Sequence, residues 1–199
     1  GTYDLRELQG KTLGYFPATP HNAFALKSLV FKEPKGLVVL THGVPVRSRN
    51  IAVFTLDHTL AYGEKKLHPS EASDVALLPQ RKEILSQKLH DGFELVVMTN
   101  QPSRGKKQRD SKVARVRRFL ELLDLPVTAL ISVSKDEYIM PSLDAWKLLV
   151  SSREVDCVTF CGSSMGRDGD AELVFGNKIG AKVIPPKLYF PQHPYQPID

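Results

Sequence analysis

Apolar residues follow two different spacings along most of this chain. Short runs rich in β-branched residues have the length and composition of buried strands, and several stretches between them carry apolar residues at helical spacing. We predict strands around Ile51 and Val53 and over residues 93–98, 127–133, 155–161 and 181–184, and helices over residues 78–89, 111–123, 142–150 and 170–176. Strands that alternate with helices through short connections predict an α/β fold with a doubly wound, mainly parallel sheet.

The two ends of the chain depart from this pattern. Residues 1–22 are punctuated by Gly and Pro with little periodicity, which predicts an extended arm. Residues 23–31 and 37–41 are apolar runs around a turn that contains Pro and Gly, a pattern typical of a hairpin. We therefore expect an N-terminal arm (1–22), a domain that opens with the hairpin (23–190) and an extended, Pro-rich tail (191–199).

Polar residues follow three of the predicted strands. Thr55 and Asp57 come directly after the first strand, Thr99 ends the second, and Ser163 follows the fourth. In open α/β sheets, ligands and catalytic groups lie at the carboxyl ends of the strands. These positions therefore mark the candidate functional site.

Six segments, in this order, resemble the signatures of one family. They are FTLDHTL, SDVALLPQRKEIL, VVMTNQPSRGK, YIMPSLDAW, FCGSSMGR and FGNKIGAKVIPPKLYF. The first resembles FDLDHTL or FDLDGTL, the third a strand ending in TNQ before a basic turn, the fourth RKPxxGMW, the fifth VGDAAGR and the last FAxNxGxxFxTPExFF. Over residues 26–190 the chain thus resembles the haloacid dehalogenase superfamily, and within it the 3′-phosphatase domain of polynucleotide kinase 3′-phosphatases.

The resemblance assigns roles to five positions, of which two keep the family's residue. Asp57 stands at the position of the general acid/base, and Thr99 at that of the motif-two threonine. Thr55 replaces the nucleophilic Asp, and Met140 replaces the Lys that steadies the phosphoryl oxygens. Ser163 replaces an Asp that ligates magnesium.

These replacements affect linked parts of one mechanism. An Asp nucleophile is ionised at neutral pH, whereas a Thr hydroxyl must first lose a proton. Magnesium prefers carboxylate oxygens, and Met supplies no positive charge to a transition state. Because such residues act as a unit, we predict a pseudophosphatase with no catalytic residue, metal or cofactor, whose degenerate site comprises Thr55, Asp57, Thr99, Met140 and Ser163.

The polar residues of this site also have simpler interpretations. Asp57 is typical of a turn residue that bonds nearby backbone N–H groups. Thr99 would then end its strand with a bond from its hydroxyl to the backbone. Ser163 and Ser164 would form either a plain loop or an anion-binding nest.

A basic segment follows the second strand. Eight Lys or Arg residues lie between Arg104 and Arg118, opposed by Asp110 alone. We expect a basic turn over residues 102–110 and then a helix, capped by Asp110 or Ser111. A solvated charged face is the alternative to a phosphate-binding surface, and aromatic residues for base stacking are not evident nearby. The predicted nucleic-acid-binding residues are Arg104, Lys106, Lys107, Arg109, Arg115 and Arg118.

The orientation of two of these residues follows from the apolar stripe of the helix. Val113, Val116 and Leu120 form that stripe. We expect Arg115 and Arg118 to point away from it, toward solvent.

Composition adds modest constraints. The formal net charge is +5 and the pI about 9.2, which favours an acidic partner. Cys157 and Cys161 lie four apart in one predicted strand, too far apart to bridge, and are interpreted as reduced core residues. We see neither a signal-peptide pattern nor a run long enough to span a bilayer. We therefore expect an intracellular protein, nuclear or mitochondrial rather than secreted.

Three functional hypotheses remain open. The first is a non-catalytic domain that acts as a scaffold or as the nucleic-acid-binding part of a complex that processes DNA or RNA. It would bind protein partners and, through the basic segment, single-stranded DNA or RNA. The alternatives are a residual polynucleotide 3′-phosphatase and a purely protein–protein interaction module.

Overall fold

The computed structural model describes residues 29–31, 35–44, 46–66, 68–135, 138–163 and 169–191. The predicted arm, residues 23–28 of the first apolar run and residues 192–199 of the tail lie outside this part of the chain.

Nine strands and five helices occur among the described residues. The strands are β1 (Leu29–Phe31), β2 (Leu37–His42), β3 (Asn50–Phe54), β4 (Ala61–Tyr62), β5 (Ala76–Leu77), β6 (Glu94–Asn100), β7 (Val127–Ser132), β8 (Cys157–Cys161) and β9 (Lys182–Val183). The helices are α1 (Arg81–His90), α2 (Gly105–Leu123), α3 (Asp144–Val150), α4 (Gly169–Lys178) and α5 (Pro186–Tyr189). The small antiparallel sheet of β4 and β5 was not predicted from the pattern.

Seven of the strands form one sheet in the order β1–β2–β7–β6–β3–β8–β9. The pairs β7–β6, β6–β3, β3–β8 and β8–β9 are parallel, whereas β1–β2 and β2–β7 are antiparallel. The predicted doubly wound, mainly parallel sheet is therefore confirmed. The predicted hairpin is present in its described part, and β2 joins it to the sheet by pairing with β7 along its whole length.

The strand order changes direction at β3. From β3 the chain continues to β6 and β7 on one side, and it then crosses back to β8 and β9 on the other. The crevice outside the carboxyl ends of strands at such a switch point is where open α/β sheets bind ligands. Thr55, Gln101 and Ser163 follow β3, β6 and β8 and therefore border this crevice.

Both faces of the sheet are buried, because helices cover each of them. In β3, Ala52 and Phe54 join the apolar cluster that includes side chains of α1, α2 and α5. Ile51 and Val53 join the cluster that includes side chains of α3 and α4. This two-sided burial explains why the parallel strands are continuous apolar runs in the sequence. Among the described residues, no helix combines the length and the apolar character that crossing a membrane requires.

Helix α1 begins later than the pattern predicts. The expected helix over residues 78–89 would place Pro79 in its first turn, but α1 starts at Arg81. Gln80 is the N-cap residue with a φ of 59°, so Pro79 lies before the helix.

Helix α2 begins six residues earlier than predicted. Arg104 is its N-cap residue, and the Gln108 side chain accepts a hydrogen bond from the Arg104 N–H at 2.6 Å. Gly105 has a φ of +79°, a conformation that glycine adopts at little cost. The predicted cap by Asp110 or Ser111 is therefore wrong, because both residues lie inside the helix.

The two cysteines differ in exposure. Both lie in β8 as free thiols. Cys161 is buried as predicted, but Cys157, the first residue of the strand, is exposed. Burial raises the pKa of the Cys161 thiol to about 12, although nearby Arg81 acts in the opposite direction. Cys161 therefore stays protonated and unreactive at neutral pH.

Gly176 allows α4 to pack closely against the sheet. A Cβ atom at this position would lie 2.5 Å from Cδ1 of the buried Phe160 ring. Ala gains about 1 kcal/mol over Gly in helix propensity, but overpacking a core costs about 1–3 kcal/mol. Because a Cβ 2.5 Å from the Phe160 ring requires a shift of the packed ring, we expect Gly176→Ala to lower the free energy of unfolding by up to about 2 kcal/mol in urea denaturation.

Asn177→Ala, on an exposed position of the same helix, is the control and should change stability by less than about 0.5 kcal/mol. A Phe160→Leu background should relieve the contact. An equal effect of Gly176→Ala in both backgrounds would contradict this account of Gly176.

Candidate functional site

The structure places the predicted site residues on the loops and strand ends at the carboxyl side of the sheet. Thr55 and Asp57 follow β3, Thr99 is the second-to-last residue of β6, and Ser163 follows β8. Met140 lies between β7 and α3. All five are buried except Asp57, whose side chain is 25% exposed.

Thr55 directs its hydroxyl into its own turn. Its Oγ1 lies 2.7 Å from Oγ1 of Thr59, and both residues are fully buried. The Thr55 N–H donates to the Cys161 carbonyl at 3.0 Å, and this bond continues the pairing of β3 with β8. The Leu56 carbonyl accepts the Leu60 N–H at 2.9 Å, which closes the turn. The Thr55 side chain is therefore neutral and fixed by local bonds.

Asp57 is bound by side chains from other elements. Arg115 donates from Nη2 to Oδ1 at 2.7 Å and from Nη1 to Oδ2 at 3.1 Å, a bidentate pair. Gln101 Nε2 lies 3.0 Å from the same Oδ2 and 2.9 Å from Oγ1 of Thr99. In the simpler interpretations, the side chains of Asp57 and Thr99 would bond the backbone. The structure instead shows bonds from these side chains to other side chains.

Arg115 is buried, and its predicted exposure is wrong. Its side chain has no exposed surface, and Nε donates to the Asp74 carbonyl at 2.7 Å. The predicted stripe of α2 omits Phe119, which is fully buried one turn after Arg115 on the same side of the helix. The buried arc is therefore wider than the stripe indicates, and it includes Arg115. In this conformation Arg115 presents no surface to a nucleic acid.

Met140 is held at the edge of the site without contributing charge. It is buried in the apolar cluster of α3 and α4. Asn100, the last residue of β6, accepts the Met140 N–H at 2.8 Å and donates to the Met140 carbonyl at 3.1 Å. Met140 thus places an apolar side chain at the edge of the site, and its backbone is fixed to β6.

A second buried arginine supports the turn after β3. Arg81 donates from Nε to the Thr59 carbonyl at 3.0 Å and from Nη1 to the Pro79 carbonyl at 3.1 Å. Its guanidinium carbon lies 4.0 Å from the centre of the Phe190 ring, a cation–π contact. Burial lowers the pKa of Arg81 to about 10, so it remains charged at neutral pH.

The remaining predicted nucleic-acid-binding residues lie on the solvent side of α2 or at its N-cap. Arg104, Lys106 and Lys107 are exposed at its amino end, which follows β6 by a four-residue connection, and Arg109 is partly exposed. Arg118 is exposed farther along the helix, and its Nη1 lies 3.4 Å from Oε2 of Glu121. The amino end of α2 therefore presents a basic surface beside the crevice, which we call the α2 basic surface (Arg104, Lys106, Lys107 and Arg109).

Sequence reasoning missed the contributions of Gln101, Asp74, Arg81 and Arg115. The signal for Arg115 was its position one turn before Phe119, on the flank of the apolar stripe. Gln101 follows the Thr99 and Asn100 of a motif that was identified, but its partner is 44 residues away in the chain. Backbone acceptors such as the Asp74 carbonyl leave no signal in a residue pattern.

The Asp57–Arg115 pair makes an asymmetric prediction for stability. Asp57→Asn leaves a fully buried guanidinium without its counter-ion, and breaking a buried pair in this way costs about 3–5 kcal/mol. Arg115→Met leaves a partly exposed carboxylate that water can solvate, and we expect a loss of about 1–3 kcal/mol. The free energy of unfolding of both variants is measured by urea denaturation.

The double variant Asp57→Asn/Arg115→Met is the control for coupling. It should cost clearly less than the sum of the single changes, because no unpaired charge remains. Additive losses would show that the pair does not act as a unit.

Comparisons with known proteins agree with the fold. A bifunctional polynucleotide phosphatase/kinase of Schizosaccharomyces pombe is 24% identical over 176 residues, which cover 81% of this chain. The match covers 42% of that relative, so the chain spans less than half of its length. A putative HAD-like phosphatase of Mesorhizobium loti superposes with a TM-score of 0.60 at 18% identity, over 76% of this chain and 78% of that one. At this identity, the superposition supports the fold alone.

A family model describes the part of the chain that carries the site. The model for polynucleotide kinase 3 phosphatase matches residues 50–190, which include β3 to β9 and all five predicted site residues. This match covers more than two thirds of the 199 residues. The chain therefore belongs to the polynucleotide kinase 3 phosphatase family.

Proposed function

We propose that this chain is a non-catalytic member of its family, a pseudophosphatase that serves as a scaffold or as the nucleic-acid-binding part of a DNA- or RNA-processing complex. The observation that carries the proposal is the neutral side chain of the residue directly after β3. Thr55 occupies the nucleophile position, and its hydroxyl is bonded to Thr59 inside a fully buried turn.

The other replaced positions support the same conclusion. Met140 provides no charge to stabilise phosphoryl oxygens, and Ser163 provides a hydroxyl where the resemblance implies a carboxylate. Asp57 is retained, but a general acid/base assists a nucleophile and does not replace one. Asp57 also has a structural role here, because its carboxylate is the counter-ion of Arg115.

The α2 basic surface supports nucleic acid as the ligand. No acidic residue lies in the first turn of α2, and the amino end of a helix itself carries partial positive charge. Together with the side chains of the α2 basic surface, this end of the helix would attract backbone phosphates in a sequence-independent way. The partly similar relative is named a bifunctional polynucleotide phosphatase/kinase, a name that refers to a nucleic-acid substrate. A nucleus or mitochondrion would then be the expected location.

The absence of catalysis is tested with a 3′-phosphorylated single-stranded oligonucleotide in magnesium buffer. We expect no phosphate release above the protein-free background at any pH between 5 and 9. Release that persists through purification and is lost in folded Asp57→Asn protein would instead establish the residual phosphatase, and its loss in Thr55→Ala as well would identify Thr55 as the nucleophile. Thr55→Ala leaves the Asp57–Arg115 pair intact, so it separates chemistry from folding.

Nucleic-acid binding is tested by fluorescence anisotropy with a variant in which all four residues of the α2 basic surface are changed to Glu. A protein that contacts about four phosphates of a single strand gives a slope of roughly −3 for log affinity against log salt. We therefore expect wild-type affinity to fall steeply with salt, and the variant to bind at least about tenfold more weakly at low salt.

The matched control reverses four exposed lysines elsewhere, Lys82, Lys147, Lys178 and Lys182. It carries the same net charge as the first variant and should keep most of the affinity. Equal loss in both variants would attribute binding to net charge alone. No wild-type binding at low salt would leave the protein–protein interaction module as the better hypothesis.

A further inference from the structure

The family resemblance implies a magnesium ion at the carboxyl ends of β3 and β8. Mg²⁺ requires near-octahedral oxygen ligands, gives up its water reluctantly and is usually held by one or two carboxylates. In this chain the implied carboxylate positions carry Thr55 and Ser163, which are both buried and neutral. The donor set therefore does not fit this ion.

The side-chain oxygen atoms of Thr55 and Asp57 already have partners within the protein. The Thr55 hydroxyl lies 2.7 Å from that of Thr59. Oδ1 of Asp57 accepts from Arg115, and Oδ2 accepts from both Arg115 and Gln101. Within the described ranges, no group of three or more His, Cys, Asp or Glu residues is arranged to hold a metal ion.

Arg115 supplies a fixed positive charge in the same region. It is completely buried, and the Asp74 carbonyl holds its Nε at 2.7 Å. The carboxylate of Asp74 is bonded elsewhere, since its Oδ1 accepts the Lys65 N–H at 3.0 Å. The Asp57–Arg115 pair is neutral as a unit, so the site needs no added cation to compensate Asp57. The guanidinium reduces the attraction of a divalent ion to Asp57, because its positive charge offsets the charge of the carboxylate.

We propose that Arg115, rather than a divalent cation, balances the charge of this site, so that the domain folds and binds nucleic acid without metal. This inference rests on the proposed function and deepens it. It assigns Asp57 a structural role in the binding-competent domain. It also makes the nucleic-acid interaction depend on protein cations alone.

The direct test is a Mn²⁺ titration of the purified chain, followed by the electron paramagnetic resonance signal of free Mn²⁺. We expect that neither Thr55→Val nor Ser163→Ala lowers the Mn²⁺ affinity of the wild-type protein. The variant Thr55→Asp/Ser163→Asp restores both carboxylates and should bind Mn²⁺ at least tenfold more tightly than wild type. Wild-type binding that either hydroxyl-removing variant weakens, or that equals the binding of the restored variant, would overturn the proposal.

The functional test compares oligonucleotide affinity in magnesium and in EDTA at matched ionic strength. We expect affinities within twofold of each other, and a tenfold loss in EDTA would overturn the proposal. Metal-dependent binding without phosphate release would refute this inference and leave the non-catalytic proposal standing. Metal-independent protein that binds no nucleic acid would refute the nucleic-acid role and leave the assignment of Arg115 standing.

Discussion

The bidentate bond between Arg115 and Asp57 ties together three parts of the molecule. Arg115 lies in the middle of α2, and Asp57 lies in the turn after β3. The Asp74 carbonyl, just before β5, accepts a hydrogen bond from Nε of Arg115. A guanidinium without any exposed surface is tolerated only where its charge and its hydrogen bonds are compensated. The position of α2 relative to the central strand is therefore fixed by an electrostatic requirement as well as by the apolar contacts of Val116 and Phe119.

This requirement also separates Asp57 from the other positions that the family resemblance singles out. Replacing Asp57 by a neutral residue would leave a buried cation unpaired, whatever the site does chemically. Without a metal, carboxylates at the positions of Thr55 and Ser163 would repel each other and Asp57. If the site binds no metal, as we propose, it is more stable with Asp57 present and with neutral residues at positions 55 and 163, which is the combination in this sequence.

Much of the fold follows from local pattern, but the site follows from contacts between distant residues. The parallel strands could be predicted because burial on both faces makes each a continuous apolar run, as in Ile51 to Phe54. The start of α2 could not, because it depends on the Gln108 side chain and on the positive φ of Gly105 inside a segment that is basic and turn-like in composition. Arg115 is predicted to face solvent because it lies off the apolar stripe of Val113, Val116 and Leu120. Its partner is 58 residues away, and no periodicity within the helix reveals it.

The α2 basic surface carries an energetic cost in the free protein. Positive side chains in the first turn of a helix oppose its dipole, and each such residue costs a few tenths of a kcal/mol or more. Arg104, Lys106 and Lys107 all lie at that end of α2, with no acidic residue in the first turn to offset them. A bound phosphate would turn this cost into a gain, because its negative charge would face both the basic side chains and the amino end of the helix. Binding of a nucleic-acid strand beside the crevice would therefore stabilise α2 itself, and through Arg115 the turn that holds Asp57.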